Sequence, residues 1–251
     1  MTDAIDLDPF ARFRKVTRAR IGLRRAGDAL PTRAVLDFQL AHARARDAVH
    51  GHVDFAGLAA RLQPLPVLRL ASRARDRSTY LARPDLGRRV AEADLAALPP
   101  PSGCDVAFVI ADGLSAAAIE RQAEPVLRAA LRRLGDLVIG PVILGEQARV
   151  AFGDEAGAAV GARVVVVLIG ERPGLSVPDS LGVYITYDPR VGRRDSERNC
   201  ISNCHADGLS AEAAADKIAW LVRAALERGL TGVELKDETT TAPVLAAPAS
   251  E

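Results

Sequence analysis

Residues 164–169 read Val-Val-Val-Val-Leu-Ile, an unbroken apolar run bounded by polar residues. Consecutive β-branched side chains disfavour a helix, and the run has the length of a single strand. No polar position interrupts it, so both of its faces must be covered. That pattern belongs to a strand inside a parallel sheet flanked by helices. The run stops at Gly170-Glu171-Arg172-Pro173-Gly174. In open α/β sheets, ligands sit beyond the carboxyl ends of the strands. A carboxylate, a guanidinium and two glycines at that point are poorly explained by packing alone. Downstream come a second β-rich run, Val183–Tyr187, and a polar stretch, Arg198-Asn199-Cys200-Ile201-Ser202-Asn203-Cys204-His205.

The rest of the chain is organised to suit such a sheet. Pro9 to Arg18 is short and basic, with Phe10, Phe13 and Val16 spaced to share one helix face. Gly22 and Gly27 mark a loop. Thr32 to His50 reads as the clearest helix, with Val35, Leu36, Phe38, Leu40, Ala41, Ala45 and Ala48 as its apolar side. Pro66–Leu70 reads as a strand, Asp76–Ala82 as a short helix, and Asp85–Leu98 as one further helix. The run Pro99-Pro100-Pro101-Ser102-Gly103 is the best boundary. It divides a mainly helical part, residues 1–101, from an α/β part, residues 102–235. Residues 236–251, rich in Thr, Ala and Pro, are expected to form a disordered tail. In the α/β part, strands are expected at Val106–Ala111, Leu137–Leu144 and the valine run. Helices are expected at Glu124–Leu134, Asp154–Gly161 and Ser210–Glu227. This alternation predicts a Rossmann-like, mostly parallel sheet.

Charge and composition exclude several classes. A net charge of +1 gives no electrostatic case for nucleic acid. The first eight residues are acidic and lack the apolar core of a signal peptide, and the valine run is too short to span a bilayer. A cytoplasmic protein without a membrane anchor is expected. The three cysteines are odd in number and imply no disulfide framework. Only three of the 33 basic residues are lysines; arginine forks suit carboxylate and phosphate partners at subunit interfaces.

Candidate site residues follow from position and chemistry. Asp112-Gly113-Leu114-Ser115 ends a strand and opens a helix. It is either an anion-binding turn or a simple cap. It is neither a G-x-G-x-x-G nor a Walker loop, so a free-standing nucleotide-binding enzyme would lack its fingerprint. Glu171 can accept hydrogen bonds from ligand amides or ribose hydroxyls, or pair with an arginine such as Arg172. Cys200, Cys204 and His205 invite a zinc assignment, but their spacing is not that of common zinc sites. Cys200, in what reads as a polar, Asn-rich loop, can instead meet a ligand, or simply be a small buried side chain. His42, His50 and His52 have no metal-binding spacing and read as ordinary histidines.

Several of these motifs, taken together and in order, resemble one family. They are Ala19-Arg20-Ile21-Gly22, Arg25-Ala26-Gly27, Tyr80-Leu81 with Arg83-Pro84-Asp85, Gly87-Arg88-Arg89, Asp112-Gly113-Leu114-Ser115, Gly170-Glu171-Arg172-Pro173-Gly174-Leu175, Asp179-Ser180-Leu181, Tyr184, Tyr187 and Cys200-Ile201-Ser202-Asn203. Across about Arg18 to Arg228 the chain resembles the light chain of ethanolamine ammonia-lyase. The resemblance implies a subunit of a hetero-oligomeric lyase that converts ethanolamine to acetaldehyde and ammonia by radical chemistry on adenosylcobalamin. It implies corrinoid contacts at Val150, Glu171 and Cys200. It implies a base-on cofactor, since the D-x-H-x-x-G motif of another cobalamin-domain class is absent. The substrate barrel of the family belongs to a separate heavy chain, and this chain has no eightfold βα pattern. No catalytic or metal-ligating residue is therefore expected here, and the helical first part is expected to meet the heavy chain. The resemblance also admits housing in a bacterial microcompartment. Family members so housed often carry a longer N-terminal extension, whereas this chain reaches its first motif almost at once. A partner subunit without ligand contacts is the rival reading.

Overall fold

The computed structural model describes residues 9–17, 19–23, 25 and 27–238. Most of the expected tail therefore lies outside the described residues. The centre is a six-stranded sheet of order β1-β3-β2-β4-β5-β6. Its strands are β1 (Val67–Ala71), β2 (Cys104–Ala111), β3 (Ile139–Glu146), β4 (Ala162–Gly170), β5 (Leu181–Tyr187) and β6 (Asn199–Cys204). The first four strands pair in parallel, while β5 and β6 add antiparallel at one edge. The fold is α/β, as the valine run demands. That run lies in β4 between β2 and β5, with Val164 to Leu168 essentially inaccessible to solvent.

The helices divide between the two faces. Those before β2 are α1 (Ala11–Arg14), α2 (Thr32–His50), α3 (Phe55–Arg61), α4 (Arg77–Ala82) and α5 (Glu92–Ala97). After β2 come α6 (Ala116–Ala118), a wide π turn (Ile119–Ala123), α7 (Glu124–Arg133), α8 (Phe152–Ala159) and α9 (Ala211–Arg228). The π turn immediately precedes Pro125, which has no N–H to continue the helical ladder. One core joins Val106, Phe108, Ile110, Val164, Val166 and Leu168 to α3, α7 and α9. The other joins Ala107, Val109, Val165, Val167 and Ile169 to Phe152 and Ala156 of α8. Odd and even strand positions thus feed opposite cores. The residues before the proline run supply β1 to the sheet and Phe55, Leu58 and Leu62 to the first core.

Four local expectations need correction. Residues 85–98 do not form one helix. A 3-10 turn at Leu86–Arg88 is followed by extended Arg89 and Val90, and only then by α5. The cause is tertiary. The Glu155 carboxylate accepts from Arg89 Nε and Nη2 and from the Val90 N–H, at 2.7–3.0 Å, and pulls the segment straight. Val90 then bridges Ser72 beyond β1. α8 begins two residues before its expected start, which places Asp154 and Glu155 inside the protein. Residues 199–204 are not a loop but edge strand β6, antiparallel to β5. Its outward side chains are polar, so its sequence lacks apolar alternation. At the amino end, α1 is a single turn, and Val16 lies beyond it at 84% exposure, so Phe10, Phe13 and Val16 do not share one helix face. No helix among the described residues is long and apolar enough to cross a membrane.

Candidate functional site

The carboxyl ends of β2, β3 and β4 meet at one edge of the sheet. The β2-to-β3 connection runs through α7 on one face, and the β3-to-β4 connection through α8 on the other. The chain leaves β2 towards β3 but leaves β4, the other neighbour of β2, towards β5, so the crevice where doubly wound sheets bind ligands falls between β2 and β4. Here the protein fills that crevice itself. The buried Asp112 carboxylate accepts from the Gly113, Gln147 and Ala148 N–H groups at 2.9–3.0 Å, with Arg77 3.7 Å away. Burial pushes the Asp112 carboxyl up to about 6, against the pull of those N–H groups and of Arg77. Ser115 caps the following helix through the Ala118 N–H, and its hydroxyl donates to Pro178 O at 2.7 Å. The Asp112–Ser115 turn is thus a closed cap.

Beside it, β4 ends on Gly170. A Cβ there would lie 2.3 Å from Ser115 O, and one on Gly113, at φ +58°, would lie 2.4 Å from Gly170 O. The two glycines let the β2 turn close on the end of β4, where the Leu114 N–H donates to Gly170 O at 2.8 Å. Glu171 follows. Its N–H returns to Ser180 O, and its side chain turns back across β5, over Gly182. There the carboxylate accepts from the Ser180 hydroxyl at 2.5 Å, from the Ser202 hydroxyl, and at 3.4 Å from the Asn203 N–H. No arginine forms an ion pair with Glu171 among the described residues.

Glu171 and Arg172 line a hollow of about 160 Å³ with Val150, Arg149, Tyr80, Leu114 and Tyr184. Val150 enters from the turn after β3. Tyr184 stands on β5 directly opposite Cys200 of β6. Burial, then the neighbouring Cys200 and Glu171, push its phenol up to about 12, so it stays a neutral hydroxyl at neutral pH. Cys200 is exposed and lines a second hollow of about 620 Å³ with Ser202, Asn203 and, from α9, Lys217 and Leu221. The Glu171–Ser202 hydrogen bond joins a wall of one hollow to a wall of the other. The structure thus places Val150 and Glu171 together and Cys200 one strand away, across Tyr184.

The back of the smaller hollow escaped sequence reasoning. Tyr80 is buried between two guanidinium planes, Arg77 at 4.7 Å and Arg149 at 4.5 Å from its ring centroid. Arg149 also donates to Tyr80 O, and its own N–H donates to Gly87 O. The motifs around Tyr80 and Gly87 therefore converge behind Val150. Only the Arg77/Tyr80 spacing of three on α4 hinted at this. Ser180 and Ser202 carried no signal for their contact with Glu171.

Cys204 and His205 do not join Cys200 in a metal site. Burial pushes the Cys204 thiol up to about 12. His205 takes the Asp207 N–H on Nδ1, which leaves Nε2–H to donate to Asn203 Oδ1 at 2.7 Å. No group of three or more His, Cys, Asp or Glu side chains among the described residues is arranged to hold a metal ion.

The donor set suits a large neutral ligand whose rim is made of amides. It offers a carboxylate, a phenol and the Arg149 and Arg172 guanidiniums as hydrogen-bonding groups, an apolar Val150, and, among the described residues, no cluster of ligating side chains. Yet about 160 Å³ is below the ~300–1,000 Å³ of sites that enclose an organic ligand alone.

The model for the ethanolamine ammonia-lyase light chain matches residues 7–236. The chain is 51% identical over 248 residues to a protein of Rhodopseudomonas palustris (strain BisA53), covering 94% of this chain and 95% of the relative. It is 51% identical over 243 residues to one from Bradyrhizobium diazoefficiens, covering 94% and 93%. It is 52% identical over 244 residues to one from Azotobacter vinelandii, covering 94% and 90%. All three relatives are named ethanolamine ammonia-lyase small subunit. Matched along almost its whole length, the chain belongs to the ethanolamine ammonia-lyase light-chain family and is one subunit of a hetero-oligomeric lyase.

Proposed function

We propose that this chain forms one wall of an adenosylcobalamin site that the large subunit closes, in an enzyme converting ethanolamine to acetaldehyde and ammonia. The observation that carries the reading is the gathering of Val150 and Glu171 in one hollow, with Cys200 facing Tyr184 across the adjacent strand. When bound, the cofactor supplies radical chemistry through homolysis of its cobalt–carbon bond. The residues of this chain bind and orient. Val150 offers an apolar contact to the macrocycle. Glu171 accepts hydrogen bonds from its peripheral amides. Cys200 contacts it further along the rim. On this reading the cofactor is base-on and needs no cobalt ligand from this chain, and the substrate site belongs to the large subunit. The sealed crevice at Asp112 weighs against a free-standing nucleotide-binding protein.

The division of labour follows the chain. Residues 102–235 supply most of the cofactor wall, backed by Tyr80, and residues 1–101 meet the large subunit. α2 supports the second assignment. It has 19 residues and buries only Ala48, while Leu36, Phe38 and Leu40 are 45–57% exposed. A helix with so little packing of its own is stabilised by a partner.

The test is Glu171→Ala in the complex co-purified with the large subunit, read as corrinoid affinity from the absorbance spectrum. Loss of a hydrogen bond to a charged group predicts weakening of about tenfold or more. Unchanged affinity would make the chain a scaffold without ligand contact.

A further inference from the structure

The Glu171 carboxylate is held from three places in the chain. Ser180, just before β5, is buried and donates its hydroxyl to Oε2 at 2.5 Å. Ser202, on β6, donates to Oε1. The Asn203 N–H approaches Oε2 at 3.4 Å, long for a hydrogen bond. An ionised carboxylate offers about four acceptor positions and no donor. The two hydroxyls take one on each oxygen and fix the plane of the group. Gly182 clears the path: a Cβ there would sit 3.1 Å from Oε1. What remains on Glu171 is acceptor capacity only, and among the described residues no cation forms an ion pair with it, although Arg149 and Arg172 line the same hollow.

We infer that Ser180 and Ser202 are positioning residues that commit Glu171 to reading a hydrogen-bond donor, so that this wall selects an amide over a carboxylate at the ligand position it faces. The inference rests on the corrinoid reading above and adds a specificity to it. A ligand carboxylate at that position would face a second anion and leave the lone pairs of both unmatched. An amide N–H would complete the set.

The probes are cobalamin and its three isomeric monocarboxylates, each with one peripheral propionamide hydrolysed. Dissociation constants are measured by absorbance titration of the full chain in complex with its large subunit. One isomer should bind about tenfold or more weakly than cobalamin. Glu171→Gln, whose amide can donate to a carboxylate, should remove most of that isomer's handicap and leave the other two unaffected. Ser202 is exposed, so Ser202→Ala spares the core. It should weaken cobalamin about fivefold and narrow the selection. Ser202→Thr, which keeps the hydroxyl, should restore both. Equal binding of cobalamin and all three isomers, a handicap insensitive to Glu171→Gln, or Ser202→Ala binding like the parent would each overturn the inference. If Glu171→Ala still weakens cobalamin in that case, the corrinoid reading survives. If Glu171→Ala has no effect, the reading itself fails.

Discussion

Asp154 and Arg198 form the most deeply buried ion pair described, each with a side chain only 2% exposed. Arg198 Nη1 donates to Asp154 Oδ1 at 2.5 Å and to Thr186 Oγ1 at 3.1 Å, and Nη2 donates to Asp154 Oδ2 and to Arg193 O at 2.8 Å each. Nε reaches Asp195 Oδ1 at 3.5 Å. Every N–H of the guanidinium has an acceptor. Asp154→Ala leaves a buried cation with two of its five donors orphaned, which costs about 3–5 kcal/mol. For a chain of this size that lowers the melting temperature by roughly 6–20 °C. Asp154→Leu combined with Arg198→Met removes both charges and should recover at least ~2 kcal/mol of the loss. The assay is urea unfolding at neutral pH, followed by circular dichroism and by the fluorescence of Trp220, the single tryptophan. Because Arg198 leads into β6, the amides of residues 200–203 should also exchange faster than those of β2. A loss below about 1 kcal/mol, or a double variant no better than the single, would refute the reasoning.

Three further outcomes are expected. Asp112 titrates near 6 in the folded protein, against an ordinary value of 3.8. The folded state keeps a proton there that the unfolded chain has lost, so this contribution to stability is complete below about pH 4 and lost as pH rises through about 6, amounting to about 3 kcal/mol. The difference in unfolding free energy between the parent and Asp112→Asn should change by about that much over this interval; a flat difference would contradict the assignment. Gly113→Ala, which must fit a Cβ 2.4 Å from Gly170 O at φ +58°, should destabilise by at least about 2 kcal/mol. Gly27→Ala, at φ +63° but with open space around it, should cost only about 1 kcal/mol. Equal thermal shifts for these two variants would deny that close approach matters at the β4 end. Leu36→Asp with Leu40→Asp on α2 should leave the circular dichroism of the chain unchanged but abolish co-purification with the large subunit; retained co-purification would remove α2 from the interface.

Legibility followed local pattern. The valine run, the Thr32–His50 helix and the Ser210-capped helix ending on Gly229 stand where local pattern puts them, because each announces itself through apolar periodicity or a cap. β6 was illegible because it lies at the edge of the sheet. Only Ile201 and Cys204 face inward, and Asn199, Ser202 and Asn203 give it the composition of a loop. The break between Arg89 and Glu92 was illegible because its cause, Glu155, is 66 residues away from Arg89 in sequence. The candidate site divides in the same way. Glu171 stands out, as a charged residue directly after a wholly apolar strand. Its neighbours Tyr80, Ser180 and Ser202 do not, because their proximity depends on the strand order, and no local period encodes that order.

That strand order also explains where the proposed binding wall lies. A doubly wound sheet normally presents its crevice between the two neighbouring strands whose connections diverge, here β2 and β4. In this chain the buried Asp112 carboxylate occupies that place and takes three backbone N–H groups that a phosphate would otherwise claim. Ser115 closes the adjoining helix start under Pro178. The polar surface that stays open is pushed sideways, past the end of β4 and onto the two antiparallel strands. A sheet edge of that kind is shallow, since no crossover helix follows β4 to wall it in. It can present Glu171, Tyr184 and Cys200 to a broad ligand but cannot surround one. The same displacement that removes a nucleotide pocket therefore creates the need for a second polypeptide.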